Sequence, residues 1–203
     1  MNTKKIKIIG LGNEGRHTIN RLIKTGIKDV EFITMNTDPK EIHPSKTDEK
    51  LKLDLTSARV LNSNSVDTIK EVLQDSEMVF FITDGQTGIE GIPMIGSFLR
   101  NLGILTLGII MEGIETSPIQ TEQCAQVCRD ALDALIVLPS MNNKANVKSD
   151  EILSTGIHAL TRLVMQQSVL EVNLADIKSI LQNAYRSNAN ISKDAQVVRC
   201  QRR

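Results

Sequence analysis

Three glycines near the start of the chain, Gly10, Gly12 and Gly15, have the spacing of a phosphate-binding turn. They follow residues 5–9, a short, mostly apolar and β-branched run that predicts a buried parallel strand. An amphipathic run follows the glycines and predicts a helix. Glycine lets the backbone approach an anion closely, and the N–H groups of the first helical turn then point at that anion with the helix dipole behind them. The chain therefore opens with a unit typical of nucleotide-binding proteins.

An acidic residue after the second expected strand allows a dinucleotide-binding interpretation. The strand predicted at 30–35 leads into Asn36-Thr37-Asp38. The three glycines match the pattern G-x-G-x-x-G. In dinucleotide-binding domains an acid at this place binds the ribose. An NAD-dependent enzyme would also need an acid–base group near the strand ends. His17, His43 and His158 lie apart on separate elements and fit that role poorly, so this hypothesis ranks last.

Strand and helix patterns alternate along the rest of the chain. Further strands are predicted at 51–55, 78–82, 104–110 and 134–138, and helices at 66–73, 93–101, 120–132, 150–170 and 174–185. Residues 83–91 are expected to be a loop, because Pro93 suits the first turn of a helix. The polar end, 186–203, is expected to be frayed. Such alternation predicts a doubly wound, mostly parallel α/β sheet followed by a long central helix, with ligands at the carboxyl ends of the strands.

Composition excludes several classes of function. The 203 residues include 24 basic and 24 acidic side chains, so no net field favours nucleic acid or an anionic membrane. Four Phe, one Tyr and no Trp leave few platforms for stacking on single-stranded bases. The three cysteines lack the spacing of a zinc site. No apolar run approaches the ~20 residues that span a bilayer. A cytoplasmic protein without nucleic-acid partners, metal ligands or a membrane span is expected.

The segment from Lys5 to Asp38 closely resembles the opening of FtsZ, the bacterial tubulin-like GTPase of cell division. Residues 31–38, Glu-Phe-Ile-Thr-Met-Asn-Thr-Asp, are especially like that family. Downstream, 78–83, 102–110 and 132–139 resemble its successive strands, 150–164 its central helix, and 171–181 the loop that FtsZ inserts into the next subunit's nucleotide site. The resemblance implies an FtsZ-like nucleotide-binding domain at 1–148, a central helix, subunit-contact loop and following helix at 149–185, and a flexible tail at 186–203.

The resemblance also implies a ligand and the residues that bind it. The ligand is GTP or GDP, accompanied by Mg²⁺. Its phosphates would be held by the first glycine turn with help from the second loop, and its guanine base would be read by the Glu151 carboxylate. The implied binding residues are Gly10, Gly12, Asn13, Gly15, Arg16, Asn36, Asp38, Gly85, Thr87, Gly88, Gly91 and Glu151. Asp176 is the acid that a second subunit would supply for hydrolysis.

Departures from the family pattern are concentrated at the residues expected to bind and hydrolyse the nucleotide. The family's phosphate loop has a Gly-Gly-Gly-Thr-Gly-Thr-Gly core, whereas residues 84–91 lack the triple glycine and include Glu90. A carboxylate beside a triphosphate opposes binding unless a cation offsets it. In the subunit-contact loop, the positions equivalent to the family's Asn, Asp and Asp are Glu171, Asn173 and Asp176. The chain also ends before the family's second domain could form. Hydrolysis is therefore expected to be weak or absent.

Two hypotheses rank above the NAD-dependent enzyme. In the first, the chain is an FtsZ-like guanine-nucleotide-binding protein of the cytoskeletal or cell-division type, which associates with itself or with an FtsZ-type partner. In the second, it is a nucleotide-free pseudo-GTPase that uses the same fold as an interaction module. The second hypothesis is favoured if Gly10, Gly12 and Gly15 serve only tight packing between a strand and a helix.

Overall fold

One seven-stranded sheet forms the centre of the protein. The computed structural model describes residues 5–54, 61–83, 86–111, 118–138, 146–165, 174–183 and 196–199. The strands are β1 (Ile6–Leu11), β2 (Val30–Asn36), β3 (Glu49–Lys52), β4 (Met78–Thr83), β5 (Leu105–Met111), β6 (Ala134–Leu138) and β7 (Gln196–Arg199). The helices are α1 (Gly12–Lys24), α2 (Pro39–Ile42), α3 (Ser63–Leu73), α4 (Gln86–Asn101), α5 (Pro118–Ala131), α6 (Asn146–Met165) and α7 (Leu174–Asn183).

The order of the strands creates a crevice between β1 and β4. Across the sheet the order is β3-β2-β1-β4-β5-β6-β7, and the first six strands of the chain are parallel. From β1 the chain builds outward to β2 and β3, and then returns to add β4, β5 and β6 on the other side. Open α/β sheets bind ligands at this kind of reversal, beyond the carboxyl ends of the strands. The doubly wound parallel sheet expected from the sequence is confirmed.

Helices cover both faces of the sheet, which explains why its central strands are mostly apolar. Every residue of β1 and β4 is buried. On one face, α3, α4 and α5 pack over a cluster that includes Phe81, Leu99 and Leu135. On the other face, α1, α6 and α7 pack over a cluster that includes Phe80 and Leu22. Parallel strands buried on both sides need no polar alternation, so runs such as that of β4 are expected.

Helix α4 begins earlier than the sequence indicated. It begins at Gln86, so Pro93 lies in its interior and not in its first turn. An interior proline removes one backbone hydrogen bond. However, Ile92, Ile95 and Leu99 are almost fully buried against the sheet, and burial of an apolar face outweighs local propensity in most protein helices. The predicted loop at 83–91 is therefore wrong from Gln86 onward.

Two other boundaries differ from the expectation. Helix α3 begins at Ser63, before the expected start at 66, because the Asn62 side chain accepts a hydrogen bond from the Ser65 N–H at 2.8 Å and caps the helix. Within the tail expected to be frayed, Gln196–Arg199 forms β7, which pairs antiparallel with β6. Within the described parts of the chain, no helix is both long enough and apolar enough to cross a membrane.

Candidate functional site

The turn between β1 and α1 lies at the carboxyl edge of the sheet. Gly10 belongs to β1, where it pairs with Thr34 of β2 and Ile82 of β4, so the turn itself is shorter than the sequence indicated. Gly12 begins α1 with a positive φ of 75°, a conformation that only glycine adopts without strain. Leu11 occupies the N-cap position and cannot cap with its apolar side chain. The N–H groups of the first turn of α1 thus lack the usual side-chain cap.

Gly10 and Gly15 bring α1 into direct backbone contact with the sheet. A Cβ atom on Gly10 would lie 2.6 Å from the carbonyl oxygen of Gly15. A Cβ atom on Gly15 would lie 2.5 Å from the carbonyl oxygen of Ile82 in β4. Neither neighbour can move aside, because each is backbone. These two glycines are therefore required by packing, and this packing holds the start of α1 across the ends of β1 and β4.

Arg16 forms a polar cluster between α1 and α2. Its Nη2 donates to Asn13 Oδ1 at 2.6 Å and to Glu41 Oε2 at 2.9 Å, and lies 3.0 Å from His17 Nε2. The Arg16 side chain is 8% exposed, whereas that of Glu41 is 36% exposed. Within the described residues the buried Arg16 Nε has no hydrogen-bond partner. The guanidinium is thus a buried positive charge beside the open end of α1, and Glu41 neutralises it.

The end of β2 provides two of the binding residues that the resemblance implies, Asn36 and Asp38. Asn36 is buried, and its Oδ1 accepts from the Asp38 N–H at 3.1 Å. The exposed Asp38 caps α2, because its Oδ1 accepts from the Lys40 N–H at 2.9 Å. Both side chains therefore shape the turn after β2. One oxygen of the Asp38 carboxylate is already used in capping the helix.

The end of β4 contributes a residue that the sequence reasoning missed. Thr83 is the last residue of β4 and is 1% exposed, yet its Oγ1 has no hydrogen-bond partner among the described residues. A buried hydroxyl without a partner is costly, so it points to a group outside the described chain. A polar residue at the end of an otherwise apolar strand was the available signal. The neighbouring Gly85 lies outside the described residues.

The remaining residues of the expected second loop lie in α4. The backbone of Thr87 and Gly88 belongs to its first turn, and Glu90 follows one turn later. Gly91 is buried, and a Cβ atom on it would lie 3.6 Å from Leu11 Cδ2, an ordinary packing distance. The N-termini of α1 and α4 thus both lie next to the crevice, because α1 follows β1 and α4 follows β4.

Glu151 lies near the start of α6, the helix that packs beside α1. Its side chain is exposed, and its carbonyl oxygen accepts from Ser154 Oγ at 3.1 Å. Two residues on, Leu153 is buried in the same cluster as Ile19 and Leu22 of α1. The carboxylate is therefore exposed on a helix that shares its core contacts with α1.

Asp176 lies at the opposite edge of the sheet from the glycine turn. It is exposed in the first turn of α7. Two residues on, Lys178 Nζ lies 3.1 Å from Oδ1 of Asp133, which immediately precedes β6 and therefore lies at the amino edge. A six-residue strand such as β1 spans ~20 Å between the two edges. Asp176 and Gly12 of one chain are thus not brought together.

The described residues at the carboxyl edge provide donors that suit an anion and form no cluster typical of a protein metal site. Two helix N-termini, a buried arginine and a buried threonine hydroxyl lie at the carboxyl ends of β1, β2 and β4. Among the described residues, no group of three or more His, Cys, Asp or Glu side chains could hold a metal ion. A ligand with phosphate oxygens is what such donors suit.

The fold matches those of three solved proteins. No protein-family model matches the sequence. An empty FtsZ dimer from M. jannaschii superposes with a TM-score of 0.69 at 24% identity, over 88% of this chain and 60% of that one. TubZ of Clostridium botulinum phage c-st gives 0.59 at 16% identity, over 89% and 66%. CetZ from Methanosaeta thermophila gives 0.59 at 15% identity, over 87% and 58%.

These matches establish the fold. The chain has the α/β architecture of the FtsZ and tubulin nucleotide-binding domain. It spans about three fifths of the length of the FtsZ chain that it matches, and less than two thirds of the TubZ and CetZ chains. The resemblance seen in the sequence thus extends to the three-dimensional arrangement of the matched part.

Proposed function

We propose that the chain binds a guanine nucleotide, GTP or GDP, at the carboxyl edge of its sheet, as a divergent FtsZ-like protein. The observation that carries this proposal is the position of Gly12. Its positive φ starts α1 directly at the crevice between β1 and β4, with the N–H groups of the first turn left without a side-chain cap. Backbone donors and the helix dipole at such a place favour phosphate.

The phosphate contacts are assigned to both sides of the crevice. From α1, the backbone N–H groups of Gly12 and Asn13 would donate to the phosphates. From β4, the buried hydroxyl of Thr83 would gain the partner that the described chain does not supply. The first turn of α4, at Thr87 and Gly88, would add further backbone donors. Mg²⁺ would accompany a triphosphate, bound through its phosphate oxygens and water rather than by a cluster of protein carboxylates.

Preference for guanine is assigned to Glu151. A carboxylate can accept from both N1–H and N2–H of guanine, whereas adenine has neither donor in that arrangement. The side chain is exposed on α6, which packs beside α1, and both features support this assignment. Asp38 and Asn36 at the end of β2 would lie on the ribose side, with the turn shaped by their own hydrogen bonds.

Isothermal titration of nucleotide-stripped protein tests this function. GTP, GDP, ATP and NADH would be titrated with and without Mg²⁺. Binding of GTP and GDP in preference to ATP and NADH is expected, together with weaker GTP binding by Glu151→Gln. Equal binding of ATP, or binding of NADH alone, would contradict the proposal. Glu49→Gln is a suitable control, because Glu49 is an exposed carboxylate at the start of β3, away from the carboxyl edge.

Any hydrolysis is assigned to a site shared between two copies of the chain. Asp176 lies at the amino edge of the sheet and Gly12 at the carboxyl edge, so Asp176 can act only on a nucleotide bound by another copy. Head-to-tail association of this kind would suit a cytoplasmic, cytoskeletal or division-related role. Turnover per subunit should therefore rise with protein concentration. A mixture of Asp176→Asn and a cleft-defective Gly12→Val variant should regain turnover that neither variant has alone.

A second candidate function is a nucleotide-free interaction module. It is favoured by the fact that the contacts of Gly10 and Gly15, and the pairing of Arg16 with Glu41, are complete without a ligand. Glu14, exposed in the first turn of α1, adds a negative charge where phosphate would bind. Sedimentation velocity of stripped protein separates the two candidates. Tight self-association that no nucleotide alters would favour the module.

A further inference from the structure

A closed hydrogen-bond ring lies at the amino edge of the sheet and has no part in the nucleotide site. Oδ2 of Asp133 accepts from the backbone N–H and from Oγ1 of Thr106, both at 3.1 Å. In return, the Asp133 N–H donates towards Thr106 Oγ1 and the Thr106 carbonyl, also at 3.1 Å. Thr106 is fully buried and Asp133 is 4% exposed. The orientation of the Asp133 carboxylate is therefore fixed by the junction of β5 and β6.

The other oxygen of this carboxylate is bound by helix α7. Lys178 Nζ lies 3.1 Å from Asp133 Oδ1, and the two side chains are 22% and 3% exposed. An ionised carboxylate buried to this degree needs a cation to compensate for lost hydration. Among the described side chains of α7, Ile177 is buried and Leu181 packs partly against the same cluster. The Lys178 ion pair adds a charged contact that ties α7 to the amino edge of the sheet.

We propose that Lys178 is a positioning residue: anchored by Asp133 and Thr106, it sets the place of α7 and thereby presents Asp176 to a second copy of the chain. Asp176 lies two residues before Lys178 and is exposed. Loss of the Lys178 ion pair would allow α7 to rotate or lift from the amino edge of the sheet. Asp176 is then no longer held in place, although Ile177 and the rest of the apolar core stay packed.

Hydrogen exchange measured by mass spectrometry on the full chain tests the anchor. In Lys178→Met, the amides of α7 should exchange about tenfold faster, because loss of one partner of a buried pair promotes local opening. Asp133→Asn should have a similar effect, and Lys178→Arg should restore slow exchange. Lys70→Met is the matched control, since Lys70 pairs with Asp67 on α3 at 3.6 Å and its side chain is 43% exposed. Unchanged exchange of α7 in Lys178→Met would overturn the anchor.

A second readout separates positioning from general stability. Lys178→Met should lower concentration-dependent self-association and GTP turnover several-fold, while GDP affinity stays within about twofold, because the two edges are ~20 Å apart. Lys178→Arg should rescue both. Equal loss of GDP affinity would overturn the positioning role.

The role of Lys178 rests on the proposed function, but nucleotide binding and the presentation of Asp176 can fail separately. If the parent chain binds GDP but neither associates nor turns over GTP at any concentration, presentation of Asp176 to a second copy is wrong while nucleotide binding stands. If it binds no nucleotide, the proposed function fails, and exchange of α7 still decides whether Lys178 anchors the helix.

Discussion

Gly10 and Gly15 touch backbone to backbone, with a hypothetical Cβ atom on Gly10 only 2.6 Å from the carbonyl oxygen of Gly15. This contact holds the first turn of α1 against the sheet. The pattern G-x-G-x-x-G therefore combines two requirements here. Its first and third glycines permit close packing, and its second, Gly12, supplies the positive φ that turns the chain into the helix. Gly12, at the start of α1, is the glycine that the proposed function assigns to the ligand.

Gly15→Ala should lower the free energy of unfolding by about 1–3 kcal/mol, the usual cost of overpacking. The added Cβ would lie 2.5 Å from the Ile82 carbonyl oxygen, which is backbone and cannot yield without moving β4. Urea denaturation measures the effect as a lower midpoint. Gly156→Ala is the control, because nothing lies within 4 Å of its Cβ position in α6. It should be neutral or stabilising, since alanine favours helix by about 0.5–1 kcal/mol. Equal destabilisation by both variants would contradict the packing interpretation.

Gly12→Ala and Gly26→Ala form a matched pair for separating backbone strain from ligand binding. Both glycines have a φ of 75°, but Gly26 follows the far end of α1. Each variant should cost about 1–2 kcal/mol of stability, because an L-residue is strained at this φ. Only Gly12→Ala should also weaken GDP binding, by about tenfold or more, through loss of the donor geometry at the start of α1. Titration calorimetry measures the difference, and unchanged GDP affinity in Gly12→Ala would remove Gly12 from the site.

Thr83→Val should leave the stability of the ligand-free protein unchanged or slightly higher. The hydroxyl is buried without a partner among the described residues, so its removal loses no hydrogen bond there. Nucleotide affinity should fall by about three- to tenfold, the value of one net hydrogen bond of ~1 kcal/mol.

Thr106→Val is the comparison for that variant. Its hydroxyl is equally buried but is bonded to Asp133, so valine there should cost about 1–3 kcal/mol of stability. It should leave GDP affinity unchanged, because Thr106 lies near the amino edge. A strongly destabilised Thr83→Val with normal GDP affinity would show that its hydroxyl has a partner within the protein.

Lys7→Met should destabilise the fold by about 2 kcal/mol, within the range for hydrogen bonds to charged groups. Lys7 is 6% exposed; its Nζ lies 3.0 Å from Glu31 Oε2 and donates to the carbonyl oxygen of Val72 at the end of α3. Methionine fills the same space but leaves both acceptors unpaired. Thermal unfolding measures the loss, with Lys70→Met as the exposed control.

A second variant makes this prediction sharper. Glu31→Gln added to Lys7→Met should recover part of the lost stability, because the uncompensated charge is then removed. No recovery would show that the Val72 carbonyl, and not the Glu31 carboxylate, is the important partner.

Local patterns determined the architecture of this protein. Apolar runs predicted β1, β2, β4, β5 and β6 in order, and the alternation of residues 51–55 predicted a strand that overlaps β3 (Glu49–Lys52). The continuous burial of strands such as β1 and β4 followed from a parallel sheet covered on both faces. Their approximate ends were also readable. Boundaries that depend on partners elsewhere were not: α4 begins at Gln86 because its later turns are buried, and β7 exists because β6 provides an edge for Gln196–Arg199. The periodicity of a strand or helix lies within its own residues, so each element can be recognised from the sequence of that segment alone.

Roles within the site were decided by the tertiary structure. The glycine spacing indicated a phosphate turn, but only the packed sheet distinguishes Gly15, pressed against Ile82, from Gly12, which has the positive φ. The position of Thr83 at the end of an apolar strand is visible in the sequence, but the lack of a hydrogen-bond partner for its hydroxyl among the described residues depends on its neighbours across the sheet. The separation of Asp176 from the glycine turn likewise follows from the Lys178–Asp133 ion pair. Contacts between residues distant in sequence form only when the chain has folded, and for that reason the sequence determined the fold but not these roles.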